Sequence, residues 1–312
     1  MRTHTIFIVG LLAAGLAVCT AQVTPTPTAP DPMAPFARMV GGEWKVTSTS
    51  GQSAFDSWRW GPGKHSIRGG DLEVMYWHPG RKEVRLLSLH PEIPGIGRGS
   101  GEGTVWFEGE TFSGRLILDQ PPSSRKLATR WTFDGPDKYH DALLEDTGSG
   151  YKPLAEWDRA RVPKRPESSP PAAAPKLPEH LKSFAALMGQ WEASAGTPRL
   201  RLTVEFVPDF VDVRVRGAGE TSLFEAYCYQ QVRTGKLRCL ALLDRGPDGA
   251  VYEGEVKVID GGLELDLNGY EGDDATTLAV RIEIENGGTV RQRIWSGREP
   301  ALVMDVRHMR AK

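Results

Sequence analysis

Apolar and polar residues alternate along most of the chain, and this period of two predicts β-strands. The alternation is clear in Val211–Arg216, Leu263–Leu267 and Val280–Ile284, and the first half shows the same rhythm in Glu83–Leu87 and Arg115–Leu118. Turn signals that contain glycine separate these runs at short intervals. The pattern predicts about nine or ten strands in each half of the chain.

The two halves of the chain repeat one unit. Three blocks match in the same order: Phe36–Trp44 with Phe184–Trp191, Glu73–Tyr76 with Glu225–Cys228, and Leu127–Asp134 with Leu278–Glu285. Matches at the beginning, middle and end of both halves indicate an internal duplication. The proline-rich stretch 163–178 lies between the halves and is typical of a linker.

The duplication predicts an all-β chain with two tandem antiparallel up-and-down β-barrels, residues 36–162 and 179–312. Closing each sheet into a barrel removes the unpaired edges that a flat sheet leaves exposed. One short helical turn is expected before the first strand of each barrel, around Pro35–Met39 and Glu179–Leu187.

The N-terminus has the pattern of an export signal. Its apolar stretch, Ile6–Val18, is shorter than the about 20 residues needed to span a bilayer, and it matches the core of a secretory signal peptide. We predict a signal peptide at residues 1–21 and a Pro/Thr-rich spacer at residues 22–35. The protein is then exported, periplasmic or secreted, with lipoprotein processing at Cys19 as the alternative. No other segment is apolar enough to predict a transmembrane span.

Both units open with Gly-x-Trp on the first strand, at Trp44 and Trp191, and each ends in a strand that carries arginine. This pattern resembles the calycin group of lipocalins, fatty-acid-binding proteins and nitrobindin-like barrels, and is closest to exported bacterial families without an assigned function. The resemblance implies that each tryptophan closes the barrel floor beneath an arginine of the last strand. By position, Trp44 would stack on Arg159 or Arg161, and Trp191 on Arg310. The two tryptophans and the arginines that stack on them, with Arg161 taken for Trp44, are expected to be structural.

His308 is the most notable titratable residue. It shares one face of the last strand with Met304, and because that apolar face must point inward, His308 is expected to reach the cavity. Nitrobindin-like barrels bind haem through a histidine near the C-terminus, so the resemblance makes haem a lesser alternative. One observation counts against haem. The number of residues between Trp191 and His308 equals the number between Trp44 and Arg161, which places an arginine at the equivalent position of the first unit.

Tryptophan is concentrated in the first unit, and such side chains supply large, rigid contact areas for ligands. We predict that Trp60, Trp77, Trp106 and Trp131 point inward and contact a ligand in the first barrel. The alternative is that a small barrel needs bulky filling.

Glycines alternate from Gly95 to Gly103, and an extended segment with this pattern presents one face without side chains. We expect Gly97 and Gly99 to form a rim over the pocket, with a plain loop as the alternative. Cys228 and Cys239 flank a hairpin in a compartment expected to be oxidising. A turn at Arg233–Thr234 would set them directly opposite each other and allow a disulfide, whereas the stronger turn signal, Thr234–Gly235, sets them on a diagonal at or beyond disulfide reach.

Charge and motifs exclude several function classes. Lys+Arg 38 against Asp+Glu 40 leaves a net charge of −2, which offers no electrostatic footprint for nucleic acid. No nucleophile elbow and no metal-ligand spacing is found, so neither catalysis nor a metal is predicted. The leading prediction is an exported, non-catalytic protein that binds a small hydrophobic or amphiphilic molecule in a barrel cavity. The alternatives are a structural or interaction module of the cell envelope with filled barrels and, as a lesser one, a haem-binding or enzymatic barrel that uses His308.

Overall fold

The structure, a computed structural model, describes residues 31–69, 73–90, 99–120, 123–163, 177–193, 201–207, 212–218, 223–245, 248–285, 288–297 and 301–311. The predicted signal peptide, most of the predicted spacer, most of the predicted linker and Gly97 lie outside the described residues.

The first half of the chain forms one sheet. Its eleven strands are β1 (Glu43–Ser48), β2 (Ser53–Asp56), β3 (Arg59–Trp60), β4 (Ser66–Gly69), β5 (Glu73–His78), β6 (Glu83–His90), β7 (Gly99–Glu108), β8 (Thr111–Gln120), β9 (Ser123–Phe133), β10 (Lys138–Asp146) and β11 (Tyr151–Val162).

The second half forms another sheet. Its strands are β12 (Gly189–Ala193), β13 (Arg201–Val207), β14 (Asp212–Ala218), β15 (Leu223–Gln230), β16 (Leu237–Leu243), β17 (Ala250–Ile259), β18 (Gly262–Glu271), β19 (Asp274–Glu285), β20 (Thr289–Ser296) and β21 (Ala301–Arg310). Short 3-10 helices lie at Ala34–Arg38, Pro62–Lys64 and Glu179–Leu187. Within the described residues, no helix has the length and apolarity needed to cross a membrane.

The prediction of an all-β chain with two antiparallel barrel-like sheets is confirmed. Strands β12 to β21 pair in chain order, and β21 returns to β12, which closes the second barrel. The first barrel has the strand order β2-β1-β11-β10-β9-β8-β7-β6-β5-β4-β3. Its two edges, β2 and β3, are separated in the chain only by Ser57 and Trp58.

Trp58 interrupts the first sheet at this edge. The strands β2 and β3 together take the place that β13 has in the second barrel. Trp58 is buried, and its ring centre lies 5.5 Å from that of Trp131. Gly69 makes room for it, because a Cβ atom at that position would lie 1.7 Å from the indole. The first ladder therefore stays open between β2 and β3, where the sequence pattern predicts a closed barrel.

Each barrel has its own apolar core, and the 3-10 helix before its first strand covers the base. Phe36 is buried in the first core, and Phe184 and Leu187 are buried in the second. Met33 lies within the predicted spacer but is fully buried in the first core. The first folded unit therefore begins before Phe36.

A third apolar cluster joins the two barrels. Outward-facing residues of β5 and β6 meet those of β15, β16 and β17, and the cluster consists of Val74, Tyr76, Leu87, Leu89, Tyr227, Tyr229, Leu240, Leu242 and Val251. With one face on a barrel core and the other on this cluster, these strands are buried on both sides. This explains why Leu86–Leu87 and Cys239–Leu242 are apolar at successive positions.

The contacts across this interface are reciprocal. Tyr76 donates a hydrogen bond to Glu253, and Tyr229 donates one to Glu102. Glu102 lies opposite Leu87 on the ladder, and Glu253 lies opposite the equivalent leucine, Leu240. An exchange of equivalent contacts is the property of a two-fold interface, formed here within one chain.

The ladders also establish which residues of the two barrels correspond. Arg85 pairs with Tyr76, and Arg238 pairs with Tyr229, so the two tyrosines are equivalent. The match of Glu73–Tyr76 with Glu225–Cys228, which equates Tyr76 with Cys228, is wrong by one residue. Because side chains alternate between the faces of a strand, this slip equates an outward tyrosine with an inward thiol.

We expect Leu87→Ala and Leu240→Ala each to lower the free energy of unfolding by about 2–5 kcal/mol, because each removes a buried side chain from the interface. Both leucines are 3% exposed, whereas Leu302 is 53% exposed, so Leu302→Ala serves as the control with little effect. Urea denaturation measures all three. A large loss for only one of the two interface variants would contradict the reciprocal interface.

Candidate functional site

A cavity of about 200 Å³ lies inside the second barrel. Aliphatic side chains such as Leu202, Leu265 and Val280 form its wall, and Phe184 and Trp191 line it near the base. One water molecule needs about 10–15 Å³, whereas pockets for drug-sized ligands span about 300–1,000 Å³. The cavity therefore suits an apolar molecule smaller than a typical drug.

Two polar side chains interrupt this wall near the base, and we call them the inner pair. His308 on β21 is fully buried, and its Nε2 atom lies 3.0 Å from Oε1 of Gln292 on β20. Burial lowers the pKa of His308 to about 4, so the imidazole is neutral at pH 7. Its Nδ1 atom is buried and has no hydrogen-bond partner among the residues that the structure describes.

Charged groups lie at the other end of the cavity. Asp244 and Arg245, which follow β16, line it there. Arg245 forms an ion pair with Glu271, and the same carboxylate accepts a hydrogen bond from the hydroxyl of Tyr252. Burial, followed by the charge and hydrogen bond of Glu271, raises the pKa of Tyr252. The guanidinium at this mouth is therefore already neutralised within the protein.

A tryptophan and an arginine close the base of each barrel. The guanidinium of Arg161 lies 4.3 Å from the ring centre of Trp44, and that of Arg310 lies 4.9 Å from the ring centre of Trp191. Each indole N–H donates to a carbonyl at the end of the preceding 3-10 helix, at 3.0 and 2.8 Å. Of the two arginines that the sequence allows for Trp44, the structure selects Arg161.

Arg159 instead forms the centre of a buried charged cluster in the first barrel. Its guanidinium donates to Asp56 at 2.5 Å and to Asp141 at 2.9 Å. Burial raises the pKa of Asp141, and the charge of Arg159 counteracts that rise. Burial, followed by the charge of Asp141, raises the pKa of Glu73 to about 8. One cation thus faces two carboxylates and a carboxyl group that is mainly protonated at pH 7.

Arg159 and His308 occupy equivalent positions. Arg159 lies two residues before Arg161, as His308 lies two residues before Arg310, and the later arginine of each pair lies opposite the floor tryptophan. The equivalence of His308 with Arg161 that the tryptophan spacing predicts is therefore wrong. Equal distance along the chain does not give the same ladder position here, because the intervening connections of the two units differ in length.

The inner pair therefore corresponds to a buried ion pair in the first barrel. Asp141 lies opposite Trp131 on the ladder, and Gln292 lies opposite Ile282, so Gln292 takes the place of Asp141. The Arg159–Asp141 pair of one barrel is replaced by a neutral hydrogen-bonded pair, His308 and Gln292, in the other.

Aromatic side chains fill the first barrel where shorter aliphatic ones line the second. By ladder position, Trp131 corresponds to Ile282, Tyr139 to Val290 and Phe112 to Leu263. Trp131 lies 4.2 Å from the ring centre of Phe112 and 5.4 Å from that of Tyr139. The smaller residues do not occupy the same volume, which explains why the second barrel is hollow.

The tryptophans predicted to contact a ligand have other surroundings. Trp131 is buried in the first core, and Trp60 and Trp77 pack against that core. Trp106 faces outward, contrary to the prediction, and its Nε1 atom donates to Glu108 at 2.9 Å. The side chains that line the cavity belong to the second barrel. Among the described residues, His308 is the one predicted ligand contact that the structure places at this cavity.

The glycine run belongs to a paired strand from Gly99 onward. A Cβ atom on Gly99 would lie 2.7 Å from the carbonyl oxygen of Asp119, and one on Gly103 would lie 2.0 Å from that of Arg115. These glycines therefore allow β7 and β8 to approach closely. The predicted rim at Gly97 lies outside the described residues.

Cys228 on β15 and Cys239 on β16 lie directly opposite each other, and both line the cavity. This register is the one that a turn centred on Arg233 and Thr234 produces. The structure records both residues as thiols. Opposite Cβ atoms on paired strands lie about 4.5–5.5 Å apart, so a disulfide between these two residues would need the strands to move closer.

The buried cluster around Arg159 does not follow from the sequence motifs. A signal for it exists in β10, where Asp141 lies between Tyr139 and Leu143 on the face that packs against the core. A charged residue at an inward position of an alternating strand indicates a compensating charge on another strand.

The site has few of the features that binding of a metal ion or haem requires. No group of three or more His, Cys, Asp or Glu side chains within the described ranges is arranged to hold a metal ion. The neutral Nδ1 of His308 has the chemistry of an iron ligand. The cavity of about 200 Å³, however, is smaller than the pockets of drug-sized ligands, and a porphyrin exceeds that class in size. The site therefore does not fit haem.

Comparisons with known proteins give no functional assignment. No family model and no curated protein matches the chain. One similar solved structure is that of a protein of unknown function from the DUF3598 family of Nostoc punctiforme. It is 12% identical, the match covers 91% of this chain and 100% of that one, and the TM-score is 0.17. Similarity at this level carries no functional argument, so function is inferred from the two interiors.

We expect Arg159→Met to lower the free energy of unfolding by about 3–5 kcal/mol, because it leaves Asp56 and Asp141 as uncompensated buried carboxylates. Arg307→Met is the matched control: it removes an ion pair of half-exposed side chains with Glu285, and such pairs contribute about 0–1 kcal/mol. Urea denaturation at pH 7 measures both. Equal losses would show that the buried cluster has no special role.

We expect His308 to make stability decrease as the pH falls. Its pKa is lowered from 6.5 to about 4 in the folded protein, so across this interval the unfolded chain binds the proton first. The contribution is fully present above pH 6.5 and is lost towards pH 4, with a total of about 3 kcal/mol. His308→Gln is expected to lack this part of the pH dependence in urea denaturation at pH 7 and pH 4.5. The same dependence in both proteins would contradict the assignment.

Proposed function

We propose that this protein is a non-catalytic binding protein that holds a small apolar molecule in the cavity of its second barrel. The observation that carries the proposal is the contrast at equivalent positions, where Ile282 and Val290 line a cavity and Trp131 and Tyr139 fill a core. Protein interiors are normally close-packed, so a hollow apolar interior with a polar pair at its base and charged groups at its mouth has the character of a ligand site.

The first barrel has a different role in this proposal. Its interior is filled by aromatic rings and by the cluster around Arg159, and its β5 and β6 strands pack against the ligand-binding barrel. These features favour a structural unit that supports its neighbour. The alternative function, a structural or interaction module without a ligand, draws its support from this barrel.

The absence of catalysis is part of the proposal. The inner pair consists of a neutral imidazole and an amide, and an amide does not titrate. The charged groups Arg245 and Asp244 line the other end of the cavity. General acid–base chemistry needs titratable groups that converge on one reacting atom. Here His308 lies at one end of the cavity and the charged groups lie at the other.

The proposal also includes the protein's structural family and its location. The stacking of a last-strand arginine on the first-strand tryptophan, in both barrels, supports membership of the calycin group. The N-terminal sequence pattern supports export to the periplasm or the medium. A ligand acquired outside the cytoplasm is consistent with both.

The test fills the cavity with the residue that the first barrel uses. In isothermal titration calorimetry with 1-naphthol, the wild-type protein is expected to bind one molecule per chain. Ile282→Trp introduces the tryptophan found at the equivalent position and is expected to abolish binding. Ile284→Trp, the same change two residues along the same strand at a position that is 39% exposed, is the matched control and is expected to bind normally.

Two outcomes would contradict the proposed function. If Ile282→Trp binds 1-naphthol as well as the wild-type protein does, the ligand lies outside the cavity. If the wild-type protein binds neither 1-naphthol nor naphthalene, and native mass spectrometry of the purified protein shows no bound mass, the structural-module alternative replaces the proposal.

A further inference from the structure

We infer that the cavity selects ligands that carry a hydroxyl or N–H group, which donates a hydrogen bond to Nδ1 of His308. The inference rests on the proposed function and specifies the chemical class of the ligand: apolar alcohols, phenols and N–H heteroaromatics, rather than hydrocarbons, ethers or carboxylates.

The first step is the assignment of the two ring nitrogens. Nε2 of His308 lies 3.0 Å from Oε1 of Gln292. An amide oxygen accepts hydrogen bonds and donates none, so Nε2 carries the hydrogen. A neutral imidazole has one N–H group, and Nδ1 is therefore a hydrogen-bond acceptor. Gln292 fixes this tautomer.

The second step is that Nδ1 requires a donor. It is buried and makes no hydrogen bond to any residue that the structure describes. Buried polar atoms in native proteins are paired in the large majority of cases, with protein, water or ligand. His308 lines the cavity, so the cavity is where a donor can reach it.

At the equivalent position of the first barrel, side chains of the protein itself satisfy the inner residue. There Arg159 is held by Asp56 and Asp141. In the second barrel Gln292 replaces Asp141, but Leu202 stands at the ladder position of Asp56, opposite the floor tryptophan. His308 therefore keeps one polar partner, Gln292, and at the position of the second partner it has Leu202, whose side chain has no polar atom.

The third step excludes the acids. A carboxylate beside His308 would place an anion against a neutral acceptor and an amide oxygen, and none of the described residues that line that end of the cavity is a cation. Arg245 lines the opposite end and is paired with Glu271. An anionic ligand therefore meets no unpaired cation among the described residues that line the cavity. An ether or hydrocarbon fits the wall but leaves Nδ1 without a donor, which costs binding free energy.

The test compares ligands of nearly equal shape in calorimetric titrations of the full chain. The probes are 1-naphthol, 1-methoxynaphthalene, naphthalene and 1-naphthoate. The wild-type protein is expected to bind 1-naphthol at least about tenfold more tightly than any of the other three, because only the naphthol satisfies the buried acceptor. In ¹⁵N spectra of histidine-labelled protein, the Nδ1 resonance of His308 is expected to shift with 1-naphthol but not with naphthalene.

Variants of the inner pair supply the control. His308→Leu is expected to retain naphthalene binding and to reduce the preference for 1-naphthol to within about twofold. Gln292→Met leaves the histidine in place but removes the group that fixes its tautomer, and it is expected to weaken the same preference. The Gln292 variant keeps the inference testable if His308→Leu does not fold.

The outcomes separate the two proposals. Equal affinity for naphthalene and 1-naphthol in the wild-type protein, or a preference that survives in His308→Leu, overturns the inference and leaves the binding function intact. Tightest binding of 1-naphthoate overturns it as well. Binding of none of the four probes overturns the inference, and together with the absence of a bound mass in native mass spectrometry it overturns the proposed function as well.

Discussion

A guanidinium inside a β-barrel has to be compensated by carboxylates, and this requirement organises the first half of the protein. Arg159 draws Asp56 and Asp141 inward, and the rings of Trp131 and Tyr139 lie beside it. Charges in this setting are costly unless each has a partner at close range. The interior of the first barrel is consequently occupied by its own side chains, and little of it is left for another molecule.

The second barrel places a neutral histidine at the same position. His308 needs hydrogen bonds but no counter-charge, and the amide of Gln292 satisfies one of its two nitrogens. Without charges to compensate, the surrounding positions accept short aliphatic residues such as Val290. The interiors of the two barrels thus differ for a physical reason: one exchange, from cation to neutral acceptor, removes the need to fill the barrel.

The interface explains how a filled and a hollow barrel coexist in one chain. Tyr76 and Tyr229 each donate a hydrogen bond to a glutamate of the other barrel. The apolar residues of the interface exclude water from the strands that carry them. The strands of the second barrel that carry Cys228 and Cys239 have the cavity on one face and the first barrel on the other. The wall of the cavity is therefore supported from outside, which compensates for the packing that a hollow interior lacks.

The sequence alone predicted the strands and the duplication, because alternation and repeated blocks are local patterns that need no knowledge of neighbouring strands. The resemblance to the calycin group implied a Trp–Arg pair at each barrel floor but left Arg159 and Arg161 open for Trp44, and the structure selected Arg161. The sequence also placed His308 at an interior position. Only the tertiary structure decided which barrel is hollow and which residues correspond. Those properties depend on where β9, β10 and β11 meet, and a shift of one or two residues changes every partner. The sequence shows that Trp131 is a large side chain. Whether that side chain lines a pocket or fills the core depends on the rings packed against it, Phe112 and Tyr139.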